Sequence, residues 1–181
     1  MTAYSTIYHH DVLGDLTLAC DGESVIGLWL EGQKYFEESV GEPLVRKDDV
    51  PVFDAARTWL DRYFVGDPLP VEALPLAPRG SDFRRRVWRI LGEIPYGELR
   101  TYGDIADQVA REQGREKSSA RAVGGAVGHN PISIILPCHR VVGTSKSLTG
   151  YAGGLDRKIW LLEHEGVDVG ALVRPTRGTA L

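Results

Sequence analysis

The chain has 181 residues, long enough for one large domain or two small ones with real cores, and its apolar (43%) and charged (25%) fractions are ordinary for a soluble globular protein. No apolar stretch is long enough to span a bilayer, and the opening MTAYSTIYHHDVLGD lacks the basic-then-apolar layout of a secretory leader. Two cysteines 118 positions apart are no disulfide framework, so the expected home is a reducing cytoplasm, with no membrane contact.

The first thirty residues hold STIYHH, DLTLAC and SVIGLWL, β-rich runs separated by DVLG and DGE, which predict an antiparallel meander. PVFDAARTWLDRYFVG then carries Val52, Phe53, Ala56, Trp59, Leu60, Tyr63 and Phe64 at helical spacing, with Pro51 near the first turn and Gly66 past the end. DPLPVEALPLAPRG has four prolines and no helical period, so it reads as an extended connector with a domain boundary near its end. Two domains follow, 1–79 and 80–181. Their charges differ: six Lys/Arg against fourteen Asp/Glu in the first, fifteen against eleven in the second, which makes the second the candidate for a polyanionic partner.

Helices dominate the second part. SDFRRRVWRILGEIP puts Phe83, Val87, Ile90, Leu91 and Ile94 on one face, with Ser81 or Asp82 as N-cap. TYGDIADQVARE opens with Thr101 and Asp104 at capping-box spacing. A polar turn leads to ARAVGGAVGHN, a helix of small residues suited to a helix-turn-helix or, equally, to tight helix packing. ISIIL reads as a buried strand. GLDRKIWLLEHEG is an amphipathic helix stopped by Gly166.

At the end of ISIIL stands Pro137-Cys138-His139-Arg140. A free cysteine is usually an inert buried hydrophobe, but cationic or hydrogen-bonding neighbours lower a thiol's pKa from about 8.5 and raise its nucleophilicity. Contact between Cys138 and His139 requires the chain to turn, which Pro137 favours. A base needs an orienting acid, and Glu165, at a helix end where a carboxylate opposes the macrodipole, is either that acid or a solvated cap.

NPISIILPCHRVVG, with RAVGGAVGHNP, SLTGYAGGL, KIWLLEHEG and FRRRVWRILGEIPYGELRTYGDIA, closely resembles the O6-alkylguanine-DNA alkyltransferases over residues 82–167. The resemblance implies an α+β chain: a small N-terminal domain of β-sheet plus helix and a helical, winged-helix-like C-terminal domain with a helix-turn-helix. It implies a DNA repair protein that moves the alkyl group of O6-alkylguanine, with O4-alkylthymine left open, onto itself once and irreversibly after flipping the base. By resemblance Cys138 is the acceptor, His139 the base acting through a water, and Glu165 its orienting acid. Asn130 is the hinge, and Tyr102 hydrogen-bonds the guanine and contacts the rotating phosphate. Tyr151, Ala152 and the carbonyls of Cys138 and Val141 form the guanine pocket.

By the same resemblance Arg121 is the finger that fills the gap left by the base, on a recognition helix from about Ala120 to His129, including Gly124 and Gly125, that enters the minor groove. Arg84 near a helix start and Lys146 in the loop GTSKSLTG are further candidates for DNA contact. The turn from Arg111 to Ser119 is longer than in many relatives, with Arg115 and Lys117 candidates for phosphate contacts. The implied partner is double-stranded DNA carrying O6-alkylguanine, bound by a monomer, with cooperativity on DNA open. No cofactor is expected. No zinc is expected either, since Cys20, His9 and His10 fall short of a four-ligand set. The alternatives are a non-catalytic damage-binding protein, which the acceptor cysteine disfavours, a DNA-binding regulator whose cysteine senses alkylation, and a Cys-His-Glu hydrolase, which would turn over.

Overall fold

The computed structural model describes residues 2–174. The chain divides into two compact units. The first runs to Gly80 and takes in Pro131–Ile135; the second comprises Ser81–Asn130 and the chain from Leu136. The last seven residues of the C-terminal domain expected over 80–181 lie outside the described part. Among the described residues no helix is long and apolar enough to cross a membrane.

In the first unit, β1 (Ala3–His10), β2 (Gly14–Cys20) and β3 (Val25–Leu30) form the expected antiparallel meander, in register from Tyr4↔Cys20 to His10↔Gly14 and from Leu16↔Leu30. One strand escaped the sequence reading. β4 (Leu44–Arg46) adds parallel to β1, giving the order β3-β2-β1-β4. Three residues with one turn-like flank carry too little pattern to be read as a strand.

All six residues of β3 are buried, so the strand shows no alternation. Its free edge is covered. Val25 pairs with Leu76 from the proline-rich connector, and Leu28 pairs with Ile132, its N–H donating to Pro131 O and its carbonyl accepting from Ser133 N. Gly27 is required there, because a Cβ would lie 1.9 Å from the Trp29 ring folded over it. Helix α1 (Pro51–Phe64) buries Val52, Phe53, Ala56, Trp59, Leu60 and Tyr63, the i, i+3, i+4 stripe of an amphipathic helix.

The second unit holds α2 (Asp82–Gly92), β5 (Arg100–Thr101), α3 (Tyr102–Glu112), α4 (Ala120–Gly128), β6 (Val141–Val142) and α5 (Leu155–His164). Helix starts follow their caps. Ser81 Oγ accepts the Arg84 N–H, Thr101 and Asp104 form a reciprocal capping box, and Ser119 Oγ accepts the Ala122 N–H. α4 packs closely because it is built of Ala, Gly and Val, and the buried Trp88 indole of α2 donates to Ala126 O at 2.8 Å.

Between α2 and α3, Glu112 accepts from Arg89 (2.6 and 2.5 Å) and Arg86 (3.1 Å), and Arg89 above all, with Gln108 and Arg86, brings its carboxyl down to about 2. Arg85 pairs with Asp82, so of the Arg84–Arg86 run only Arg84 has no ion pair among the described residues. The linker from α3 to α4 spans residues 113–119. β5 and β6 form a short parallel pair, Arg100↔Val141 and Thr101↔Val142, which brings the start of α3 beside the segment following Cys138.

Candidate functional site

The run ISIIL is not a strand. Only Ile132 makes a bridge; beyond it the chain reverses twice in tight three-residue turns. Ile135 N donates to Ser133 O at 2.8 Å around Ile134, whose φ of +69 is a left-handed value that a β-branched residue rarely takes. Cys138 N then donates to Leu136 O at 2.8 Å around Pro137, at φ −79 and ψ 67, an inverse γ-turn that proline's ring favours. An apolar β-branched run reads the same whether it is extended or turned in a core, so the strand expectation had no signal against it. The turn is what matters. It ends in a 3-10 turn, Cys138–Arg140, that breaks strand alternation and sends neighbouring side chains to different partners.

Asn130, two residues past the end of α4, is buried and its side-chain amide donates to Leu136 O (2.7 Å) and to Cys138 Sγ (3.1 Å). One side chain therefore links the end of α4 to the sulfur. Burial pushes the Cys138 thiol up, with Asn130 and the Lys158 ammonium acting against it. Of the two neighbours expected to lower that thiol, only His139 does so, through a backbone hydrogen bond. Arg140 turns elsewhere.

His139 is fully buried. Its Nε2 stands 2.6 Å from Glu165 Oε1, and since a carboxylate only accepts, Nε2 carries the hydrogen. The other ring nitrogen, Nδ1, is buried and has no hydrogen-bond partner among the described residues, leaving its lone pair free to accept. Burial lowers the imidazole's pKa against the pull of Glu165, so the ring is neutral at neutral pH.

Glu165 caps α5 at its C-terminus and is buried rather than solvated. Besides His139 it accepts from Arg140 Nε (2.7 Å) and Nη2 (2.9 Å) and from Gly97 N (3.1 Å). Burial alone would raise its carboxyl; His139 and Arg140 outweigh that and hold it far below the ordinary range. Gly97 is needed twice, at φ +75 and because a Cβ would meet the Glu165 carbonyl at 2.9 Å. Arg140 also donates to Ile94 O at 2.5 Å and lies over the Tyr96 ring. Sequence reasoning missed Arg140 as the carboxylate's second clamp, although it sits inside the motif; nothing in the sequence joins it to a partner 25 positions away.

Lys158 was missed altogether. It reads as part of the polar face of α5, yet it is fully buried, and Nζ donates to Val141 O (2.7 Å) and Thr149 O (3.1 Å). Burial lowers it to about 8, while a negative charge on Cys138 would act in the opposite direction. Tyr102 is the first residue of α3. Its phenol oxygen lies 2.9 Å from Thr149 Oγ1, and its pKa is raised by burial against that hydrogen bond, with a further rise from Cys138 charge.

Of the remaining sequence candidates, Val141 and Tyr151 are buried and Ala152 is half-buried. Ala120, Arg121 and Gly125 are exposed on α4, and Gly124 faces the Tyr102 ring, 3.8 Å from where its Cβ would be. Arg84 is half-buried near the start of α2. Lys146 is exposed in a 3-10 turn where Ser145 (φ 62) and Lys146 (φ 57) are both left-handed. The arrangement can do nucleophilic chemistry: a thiol held by an amide, with a neutral imidazole next along the chain that is oriented by an ionised carboxylate.

Comparison with known proteins gives a consistent answer. Residues 82–167 match the family model of the 6-O-methylguanine DNA methyltransferase DNA binding domain, and residues 3–78 that of the ribonuclease-like domain of the same proteins. The methylated-DNA--protein-cysteine methyltransferase of Haemophilus influenzae is 40% identical over 167 residues, 92% of this chain and 89% of that one. Its counterpart in Mycobacterium bovis is 45% identical over 167 residues, 91% and 93% of the two chains. The crystal structure of Mycobacterium tuberculosis OGT in complex with DNA superposes with a TM-score of 0.74 at 41% identity, covering 95% of each chain.

Proposed function

Because the chain belongs to the 6-O-methylguanine DNA methyltransferase family, we propose that it repairs DNA by moving the alkyl group of O6-alkylguanine onto Cys138, once per molecule. The observation that carries this reading is the pairing of a thiol fixed by Asn130 with a buried, neutral His139 whose Nε2 is committed to Glu165 and whose Nδ1 is free to accept a proton.

The chemistry follows from those atoms. His139 Nδ1 takes the Cys138 proton through a water. The thiolate attacks the alkyl carbon, the S–C bond forms as the C–O6 bond breaks, and the released electron pair passes to the purine. Over the whole reaction the thiol proton ends on guanine and the alkyl group on sulfur. A thioether is not hydrolysed, so nothing regenerates the thiol. The displacement draws on no cofactor. Burial keeps His139 neutral, so its Nδ1 can accept a proton at neutral pH.

The partner is double-stranded DNA carrying O6-alkylguanine, met by α4 with Ala120, Arg121 and Gly125 toward the groove, Gly124 beside Tyr102, and Arg84 and Lys146 flanking. An in-duplex O6 substituent is out of reach, so the base turns out at a cost of a few kcal/mol and Arg121 fills its place. The guanine lies against Tyr151, Ala152 and the Val141 carbonyl, with Tyr102 donating to it. The protein acts as a monomer in the cytoplasm, where its thiol stays reduced. Titrating a fixed amount of protein with excess methylated duplex should end at one repaired guanine per molecule. Continued turnover would instead identify a hydrolase.

A further inference from the structure

We infer that Thr149 is a positioning residue for alkyl transfer: its hydroxyl donates to the phenol oxygen of Tyr102 and so turns the phenol's own hydrogen toward the departing guanine. The inference deepens the alkyl-transfer reading and rests on it.

A phenol has one hydrogen and two lone pairs. If Tyr102 is to give that hydrogen to a purine, its other neighbour must be a donor, and the only side chain in hydrogen-bond contact with its oxygen among the described residues is Thr149, at 2.9 Å. Both partners are held. The Tyr102 ring packs over Gly124 of α4, and its backbone starts α3 just behind the Thr101–Asp104 capping box.

Thr149 stands in the loop before α5, yet its backbone is tied at both ends. Its N–H donates to Ser147 O at 2.9 Å, and its carbonyl accepts the buried Lys158 ammonium at 3.1 Å. Its methyl group packs toward Gly143, 3.0 Å from where a Cβ would be, which commits the methyl to that side. The same ammonium binds Val141 O, so one lysine fixes both Thr149 and a carbonyl of the guanine site.

A hydroxyl that accepts a hydrogen bond donates a stronger one. Thr149 therefore does more than aim the phenol. It opposes the effect of burial, which makes the Tyr102 hydrogen harder to share. In the reaction, negative charge develops on the purine as the C–O6 bond breaks, and the Thr149→Tyr102→guanine chain meets that charge. No atom of Thr149 is consumed.

The test is a double-mutant cycle on single-turnover transfer from a methylated duplex, with duplex affinity measured alongside. Thr149→Val removes the hydroxyl and keeps the shape. It should slow transfer roughly tenfold, the worth of one hydrogen bond, with affinity unchanged. Thr149→Ser should restore the rate, and Thr149→Val should cost nothing further in a Tyr102→Phe background. Thr149→Ala provides the same readout if valine disturbs packing at Gly143. A wild-type rate in both Thr149→Val and Thr149→Ala overturns the inference, as does a loss of full size in the Tyr102→Phe background. If Tyr102→Phe itself reacts like the wild type, the inference falls while methylated Cys138 leaves the repair reading standing. A wild-type protein that accepts no methyl group removes both.

Discussion

Glu165→Gln isolates the group on which the site turns. The substitution keeps the shape of the side chain and removes one charge. In the native protein the carboxylate takes N–H groups from His139 Nε2, Arg140 Nε, Arg140 Nη2 and Gly97. A glutamine has one acceptor oxygen and brings an NH2 that must face one of those donors, so at least two buried donors lose their partner and Arg140 becomes an uncompensated buried cation. Breaking a buried pair in this way costs about 3–5 kcal/mol, or a fall in Tm on the order of 15 °C for a unit of this size.

The pH dependence has a definite sign. The Glu165 pKa is depressed by folding, so its contribution is complete above the ordinary value of 4.5 and is lost as pH falls below it. His139 is also depressed, and its share is lost as pH falls below 6.5. Calorimetric Tm values at pH 7.5 should therefore show a wide gap between wild type and Glu165→Gln, and that gap should begin to narrow only as pH falls well below 4.5, toward the depressed folded value. Transfer by the variant should drop at least about a hundredfold, the usual worth of general base assistance. Equal Tm values at pH 7.5, or a gap indifferent to pH, would refute the view that this carboxylate anchors the site.

Two further outcomes follow from the geometry. Gly97→Ala adds a Cβ 2.9 Å from the Glu165 carbonyl at a left-handed position, so urea unfolding should show a loss of about 1–3 kcal/mol, larger than an alanine causes at the open Gly114 (φ +62). Arg121 is exposed on α4, so Arg121→Ala should slow repair of duplex DNA by about tenfold or more while reaction with free O6-benzylguanine is unchanged; equal losses on both substrates would remove the finger role.

Local signals were legible in the sequence and long-range ones were not. Ser81, Thr101 with Asp104, Pro51 and Gly66 mark helix ends through hydrogen bonds or dihedral demands that span a few residues, and the helices begin and stop there. Cys138, His139, Glu165 and Asn130 could be named because a family resemblance gave their places, and the fold brings Asn130 to the sulfur and Glu165 to the imidazole. The two γ-turns before Cys138 were hidden because Ile and Leu suit a buried strand as well as a buried turn. Arg140, Lys158 and Thr149 were hidden for another reason. Each acts on a partner 9 to 47 positions away, and a lysine on an amphipathic helix or a threonine in a loop looks like solvent-facing sequence until the fold covers it.

The central claim is that one sulfur is consumed. Intact-mass measurement after mixing the protein with a duplex containing O6-methylguanine, followed by peptide mapping, tests it most directly. The account predicts one added methyl group on Cys138, none on Cys20, and none in Cys138→Ala. Repaired DNA beside an unmodified protein, or a methyl group on any other residue, would contradict it.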